Sequence, residues 1–375
     1  MTKSSDPAAM LTGHAARSIC RQFQIDGEFA GFEPFERGHI HDTFVSSWRH
    51  ADGTTCRYLH QRINHDVFHD VGGLMHNIEA ISTHLCAKLG PPPTRCAFQA
   101  LRLVRTDAGG AYLRDEAGWD WRTYEFLEET IAFDVCESPD RAFEAASVFG
   151  RFQSLLADID VRNLRETIPE FFSPGARLRQ LRKVLADDPV GRLASAQPEI
   201  AFALERAAMI EAVERRIRDR TLKQRVVHGD TKLNNVLFHE HTGKAVAVVD
   251  LDTCMPGWSL YDFGDLVRFT AARTLEDETD LDRVGTDLVL YRALVDGYLE
   301  HAAAFLSRHE RELMPLAARV VTLTIGLRFL TDYLAGDHYF KTTRDLHNLD
   351  RCRVQFGMVA DMERQRLAME QGVRG

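Results

Sequence analysis

The hydrophobic periodicity of this chain changes once, near residue 138, and that change restricts the folds open to it. Before it, short apolar runs read as strands, at 29–35, 43–48, 57–63, 101–105 and 121–126, with Asp107-Ala108-Gly109-Gly110 as a turn. One helix interrupts them. Val67, Val71, Leu74, Ile78, Ile81 and Leu85 recur at alternating steps of four and three, which gives a single apolar face. Beyond residue 138, amphipathic stretches over 139–157, 199–220, 285–306 and 312–335 read as helices. A β island breaks that helical half. Val226-Val227 leads into a polar loop, and 235–238 and 245–251 then flank the turn His241-Thr242-Gly243-Lys244 as a hairpin. A length of 375 residues exceeds one typical domain and suits two lobes sharing a cleft. The expectation is an α+β chain with a tail and lead-in at 1–24, a small strand-rich N-lobe at 25–127 and a larger helical C-lobe at 128–375.

Charge and cysteine usage exclude several classes of function. The net charge is −9 and the acidic residues are dispersed, so no basic stripe awaits a phosphate backbone and no nucleic-acid partner is expected. No apolar run approaches the roughly 20 residues that cross a bilayer, so no membrane partner is expected either. The N-terminal MTKSSDPAAM lacks an apolar h-region and reads as a loose tail. The seven cysteines are odd in number, scattered and without a C-x-x-C pair. They argue against a disulfide framework and a structural zinc site, and read as free thiols in a reducing cytoplasm. The expected partners are small molecules, for a cytoplasmic monomer or homodimer.

The informative segment is Val226-Val227-His228-Gly229-Asp230-Thr231-Lys232-Leu233-Asn234-Asn235-Val236-Leu237-Phe238. Apolar pairs flank acid, amide and base, and polar groups between buried strands are costly unless they are used. Asp250 follows the apolar run 246–249, and Asp252 lies two residues on, so both carboxylates would face one side if the strand persists. Phosphoryl transfer calls for these parts. A carboxylate takes the proton of the attacking hydroxyl, and a divalent cation on hard oxygen ligands neutralises charge building on the phosphate. Asp230 is the expected base, Asn235 and Asp250 the expected Mg2+ ligands, Asp252 an additional candidate, and His228 a brace for the loop. The bland alternative is a structural polar turn, and the downstream Asp250 favours the chemical reading. No G-x-x-x-x-G-K-[ST] and no G-x-S-x-G is present, so neither P-loop chemistry nor a serine hydrolase is supported. His239-Glu240-His241 lies in the hairpin turn without H-E-x-x-H spacing and reads as turn chemistry.

A strand-rich lobe followed by a helical lobe that carries a hairpin beside a polar loop is the layout of a two-lobed protein-kinase-like fold. The loop H-G-D-x-x-x-x-N followed by V-D-x-D resembles that of the aminoglycoside phosphotransferase and choline kinase group of that superfamily. A narrower resemblance is to N-acetylhexosamine 1-kinases. Gly38-His39-Ile40-His41-Asp42-Thr43 is similar to their G-H-I-N-D-T segment, and Leu59-His60-Gln61-Arg62-Ile63-Asn64 to their L-Q-R-I-N strand. Asp250-Leu251-Asp252-Thr253-Cys254-Met255-Pro256-Gly257, Tyr261-Asp262-Phe263-Gly264-Asp265 and Arg328-Phe329-Leu330-Thr331-Asp332-Tyr333 also look like theirs.

The resemblance implies an ATP-dependent, Mg2+-dependent kinase. The strand at 121–127 would join the lobes and read adenine through its backbone, with Glu125 and Leu127 as candidates by position. Gly38 lies in the phosphate cover, which has one glycine where relatives often have two. Arg62, or Gln61, stands where relatives carry a phosphate-anchoring lysine, with Glu79 as the expected helix partner; the alternative for Arg62 is a surface strand residue. Arg328 and Asp332 are four apart on one helix face, which by spacing alone reads as a surface ion pair. The resemblance instead assigns Arg328 and Tyr339 to sugar binding, with His39, Asp42 and Asp230 closing the site. His41 stands where relatives carry Asn. The implied activity is transfer of the ATP γ-phosphate to a sugar hydroxyl, the anomeric hydroxyl of an N-acetylhexosamine or related hexose. Two alternatives stand beside it: a kinase of an aminoglycoside or choline-like metabolite, and a catalytically silent nucleotide-binding module. The reduced Gly loop and missing lysine motivate the second; retention of Asp230, Asn235 and Asp250 opposes it.

Overall fold

The computed structural model describes residues 13–35 and 40–374. Two compact units divide the chain: one reaches up to Thr130 and takes in Asn163–Thr167, and the other holds Ile131–Arg162 and the chain from Ile168 onward. The first is strand-rich and the second helical, giving an α+β chain.

The first unit contains α1 (Gly13–Cys20), β1 (Glu28–Pro34), β2 (Asp42–Arg49), β3 (Thr55–Arg62), α2 (Val71–Leu89), β4 (Leu103–Val104), β5 (Leu113–Arg114) and β6 (Asp120–Glu125). The sheet is antiparallel in the order β1-β2-β3-β6-β4, with β5 also pairing β6. Alternation along the strands turns Phe44, Trp121 and Val104 into a core with Ile19 and Phe23. A polar seam crosses it. His60 is fully buried between Ser46 Oγ (2.7 Å) and Thr123 Oγ1 (2.8 Å), and burial pushes its pKa down to about 3. Helix α2 starts at 71 rather than 67. Asp70 caps it by accepting from the Gly73 N–H (2.8 Å), while Val67 sits exposed in the preceding turn. The run at 101–105 shortens to the two residues of β4.

The boundary runs through the two-residue strand β7 (Thr130–Ile131). The second unit then contains α3 (Pro139–Leu155), α4 (Pro174–Asp187), α5 (Gln197–Glu205), α6 (Ala207–Arg218), β8 (Gln224–Val227), β9 (Val236–His239), β10 (Ala245–Val248) and β11 (Met255–Trp258). It continues with α7 (Leu260–Thr270), α8 (Leu288–Ala302), α9 (Arg308–Glu312), α10 (Met314–Ala335), α11 (His347–Arg364) and α12 (Arg366–Arg374). Ser138 and Ser173 cap α3 and α4, each followed by a proline at the first helical position. The single helix expected over 199–220 is two. Arg206 breaks it at φ −98°, ψ 5°, where its guanidinium binds the Phe202 carbonyl (3.1 Å) and Glu363. Helix α8 starts at 288 rather than 285 because Asp287 caps it, accepting from Val289 and Leu290, and it ends at Ala302.

Helices α7 and α11 were not legible in the sequence. Nearly every residue of α7 is buried, including its polar stripe of Asp262, Asp265 and Arg268, so its polar residues do not mark a solvent face. Its Gly264 faces α10 so closely that a Cβ would lie 2.6 Å from Val321 and 2.7 Å from the Ala317 carbonyl. Helix α10 corrects another expectation. Among the described residues it alone is long and apolar enough to cross a bilayer, but 78% of its apolar window is buried, as in a core helix. It lies at the centre of a cluster with Leu178, Leu181, Ile200, Ile210, Leu349 and Phe356.

Candidate active site

Residues 228–235 run between β8 and β9, and carboxylates on α7 hold this loop by its backbone. Buried Asp262 accepts from the N–H groups of His228 (2.8 Å) and Gly229 (2.9 Å) and from Gln153 Nε2. One turn on, Asp265 accepts from the Thr231 N–H (2.9 Å) and pairs with Arg268 (3.0 Å). Burial pushes the Asp262 carboxyl up to about 7, against the pull of its donors. Gly229 has φ +82°, and a Cβ there would lie 2.6 Å from the Phe172 ring, so only glycine fits this turn. His228 is fully buried. Its Nε2 donates to the Val249 carbonyl (2.9 Å), which leaves Nδ1 to accept from the Asp230 N–H (3.3 Å). Burial holds its pKa below the usual value, so the neutral ring braces the loop.

Asp230 stands at the open end of this scaffold. Its Oδ2 receives Lys232 Nζ (2.9 Å) and Asn235 Nδ2 (3.2 Å), and Asn235 Nδ2 also donates to the Asp230 carbonyl (2.8 Å). Its Oδ1 has no partner among the described residues. Burial pushes the Lys232 ammonium down, but Asp230, joined by Asp250 and Asp265, more than offsets this and the net pKa is raised. Lys232 is therefore a cation held at the carboxylate. The sequence carried a signal for it, a lysine two residues after the aspartate, that the reading of the loop did not use.

The amide oxygen of Asn235 makes no hydrogen bond among the described residues, and the Val249 N–H donates to the Asn235 backbone carbonyl (3.0 Å). That bond brings the end of the β10 segment beside Asn235. The strand itself stops at Val248, Asp250 is left-handed at φ 62° and ψ 65°, and 251–253 form a tight 3-10 turn. Asp250 and Asp252 therefore do not share a strand face: Asp252 is buried, whereas Asp250 is half-buried. A left-handed aspartate costs about 1–3 kcal/mol, a strain that proteins concentrate at functional sites. Among the described residues no group of three or more His, Cys, Asp and Glu could hold a metal by itself.

Arg328 and Tyr339 are in contact. Arg328 Nη2 donates to Tyr339 Oη (3.2 Å), and the guanidinium lies 5.3–5.5 Å from the rings of Phe171, Tyr339 and Phe340. The ion pair read from spacing does not form. Asp332 instead accepts from the N–H groups of His338 (3.0 Å), Tyr339 (2.8 Å) and Phe340 (2.9 Å), and from Asn348 Nδ2 (2.9 Å). It builds the turn that presents Tyr339, whose side chain is 70% exposed.

In the first unit, Gly38 and His39 lie outside the described residues. Asp42 and Arg62 pair with each other, because the β2–β3 register sets them directly opposite. Arg62 also lies 4.7 Å over the Trp119 ring. Glu79 is not its partner; it pairs with Arg105, which follows β4. The Glu125 N–H donates to the Arg102 carbonyl (3.0 Å). The Leu127 carbonyl accepts from Thr130 Oγ1 (2.8 Å), and the Leu127 N–H has no partner among the described residues. His41 accepts from the Asn64 N–H (3.1 Å) and stacks on Phe68.

Solved structures similar to this chain include small-molecule phosphotransferases. An aminoglycoside phosphotransferase from Alicyclobacillus acidocaldarius matches with a TM-score of 0.62 over 100% of this chain and 97% of its own, at 16% identity. A microcompartment-associated aminopropanol kinase gives 0.57 over 95% and 98%, also at 16% identity. A choline kinase from Cryptosporidium parvum gives 0.56 over 96% and 97%, at 12% identity. Likeness at such identities establishes the fold, which is protein-kinase-like. The family follows from the sequence: residues 33–319 match the phosphotransferase enzyme family APH, and the chain belongs to it.

Proposed function

We propose that this phosphotransferase moves the γ-phosphate of ATP to the anomeric hydroxyl of an N-acetylhexosamine or a close hexose relative. The observation that carries the transfer chemistry is Asp230: one carboxylate oxygen is fixed by Lys232 and Asn235, and the other is open. The acceptor hydroxyl donates to that open oxygen. As its oxygen bonds to the γ-phosphorus, the bond from phosphorus to the bridging oxygen of ADP breaks and the hydroxyl proton passes to Asp230. Lys232 offsets charge on the transferring group. Asn235 and Asp250 offer an amide and a carboxylate oxygen, a hard donor set that suits Mg2+, which usually completes its shell with water and phosphate. Bound there, Mg2+ would neutralise phosphate charge. These features oppose the catalytically silent reading.

Nucleotide contacts are assigned to Gly38, Arg62, Glu125 and Leu127. The unpartnered Leu127 N–H supports a backbone contact to adenine, whereas a phosphate contact from Arg62 requires its pair with Asp42 to loosen. Acceptor contacts are assigned to His39, Asp42, Arg328 and Tyr339, and the Arg328–Tyr339 contact supports the last two as one unit. ADP release over a hexose panel, with phosphorus NMR of the product, tests this reading. An anomeric phosphate is expected. Phosphate only at another position, or turnover only with an amine-bearing acceptor, overturns the sugar assignment and leaves the family membership standing.

A further inference from the structure

We infer that the acceptor carries an anionic group, a carboxylate or a phosphate, seated by the paired guanidiniums of Arg177 and Arg328. This rests on the sugar-kinase reading above and narrows its substrate class. Phe171 and Phe172 immediately precede the Ser173 cap of α4, and Arg177 stands one turn into that helix. Phe171 lies 5.5 Å from the Arg328 guanidinium. Two edge-to-face aromatic neighbours lead back to the catalytic loop: Phe171 packs on Phe172 at 5.0 Å, and Phe172 fills the space beside Gly229. Arg328 therefore sits at one end of a row of rings that ends at the residue before Asp230, and Arg177 reaches the Glu170 carbonyl next to the first ring.

Neither guanidinium has a carboxylate within salt-bridge distance among the described residues. Arg177 donates to Gln180 Oε1 (2.9 Å) and to the Glu170 backbone carbonyl (3.2 Å), and its Nε is buried with no partner. The Glu170 carboxylate is taken by Arg179. Arg328 has the neutral hydroxyl of Tyr339. Several shielded arginines of this unit are matched, Arg225 with Glu310, Arg268 with Asp265, Arg206 with Glu363 and Arg353 with Glu199, whereas Arg319 and Arg351, like Arg177, bind carbonyl oxygens and no carboxylate among the described residues. Burial and the neighbouring Arg328 both hold the Arg177 pKa below its usual value, and the hydroxyls of Tyr261 and Tyr339 and, more weakly, the Glu170 carboxylate lie within electrostatic reach. In a chain of net charge −9, two neighbouring cations with no carboxylate at ion-pair distance among the described residues are not a by-product of general basicity.

Like charges set side by side disfavour each other, and an anion between them relieves this. Planar guanidinium forks bind carboxylate and phosphate oxygens two at a time, with aromatic rings beside them to seat a sugar face. The same pair repels an ammonium group, so it discriminates against amine acceptors. The contact made by the anionic end also holds the ring while the anomeric oxygen reacts.

Steady-state ADP release with MgATP tests this, using glucuronate, galacturonate, glucose 6-phosphate, glucose, N-acetylglucosamine, choline and kanamycin as acceptors. At least one anionic hexose should exceed both neutral hexoses in kcat/KM by about tenfold or more, and the better of carboxylate and phosphate identifies the anion. Arg177→Gln should cut that preference by about tenfold through the acceptor KM, with the KM for ATP little changed. Arg177→Lys, which keeps the charge and loses the fork, should lie between and serves if the Gln variant fails to fold. Neutral hexoses equal to or better than anionic ones overturn the inference while the sugar reading stands. Turnover with choline or kanamycin and no hexose overturns both. An anionic preference that Arg177→Gln and Arg177→Lys leave intact removes Arg177 from the seat.

Discussion

The two units use their charged side chains differently. In the first, charges pair with charges: Asp42 with Arg62, Glu79 with Arg105, Arg57 with Glu128, each pair partly open to solvent. The second has such pairs too, among them Arg225 with Glu310 and Arg206 with Glu363, but there buried carboxylates also grip the chain itself. Asp262, Asp265 and Asp332 accept from the backbone N–H groups of 228, 229 and 231 and of 338–340. An exposed ion pair ties two flexible side chains together and is worth little. A buried carboxylate on successive N–H groups fixes the path of a loop, because each donor left without it would be costly. The difference teaches where this fold invests rigidity: in the loop of Asp230 and the turn of Tyr339.

The largest effect should come from the group that this scaffold presents. Asp230→Asn should lower phosphoryl transfer by roughly 10²-fold or more while the folded state and nucleotide binding persist, because a positioned base is lost without disturbing the N–H contacts. Single-turnover kinetics beside a nucleotide titration checks this, and wild-type-like turnover removes Asp230 from the base role.

The comparison itself predicts an asymmetry in stability. Asp262→Ala strands two N–H groups and the Gln153 amide, and should cost about 2–4 kcal/mol. Asp42→Ala leaves Arg62 able to reach solvent and should cost about 1 kcal/mol or less. Urea denaturation of both variants decides, and equal losses would break the distinction between the units.

A pH-dependent effect, small near neutrality, concerns the buried histidine of the first unit. His60 has its pKa pushed down to about 3, below its unfolded value near 6.5, so the unfolded chain takes up a proton that the folded chain refuses. Its contribution to stability is complete above pH 6.5 and is lost as pH falls from there toward 3, by about 1.4 kcal/mol per pH unit. His60→Gln should flatten the acid slope of the unfolding free energy by one proton. Parallel slopes for the two proteins would place the acid sensitivity elsewhere.

Elements with a clear apolar run or helical repeat were legible in the sequence. Strands β1, β2, β3 and β6, the hairpin of β9 and β10, and helices α2, α3, α8 and α10 are of this kind. Helix α7 was not, because its polar residues Asp262, Asp265 and Arg268 are buried with the rest and mark no solvent face, and the break between α5 and α6 was not, because it depends on Arg206 finding Glu363 far along the chain. The same limit separates the parts of the candidate site. The polar segment His228 to Asn235 announces itself locally, as acid, amide and base between apolar pairs.

The order of elements and the chemistry available in each loop were thus determined by the sequence alone, since both depend on residues within a few positions of one another. Partner choice was decided only by the tertiary structure. Arg62 turns to Asp42 and Glu79 to Arg105, Asp332 abandons Arg328 for three N–H groups, and Asp250 leaves its strand at a left-handed residue. Arg177 and Arg328, 151 positions apart in the sequence, become neighbours because α4 packs on α10. The physical reason is common to all of these. A charged side chain reaches several possible partners, and which one it takes depends on which burial and hydrogen bonding the packed elements leave open.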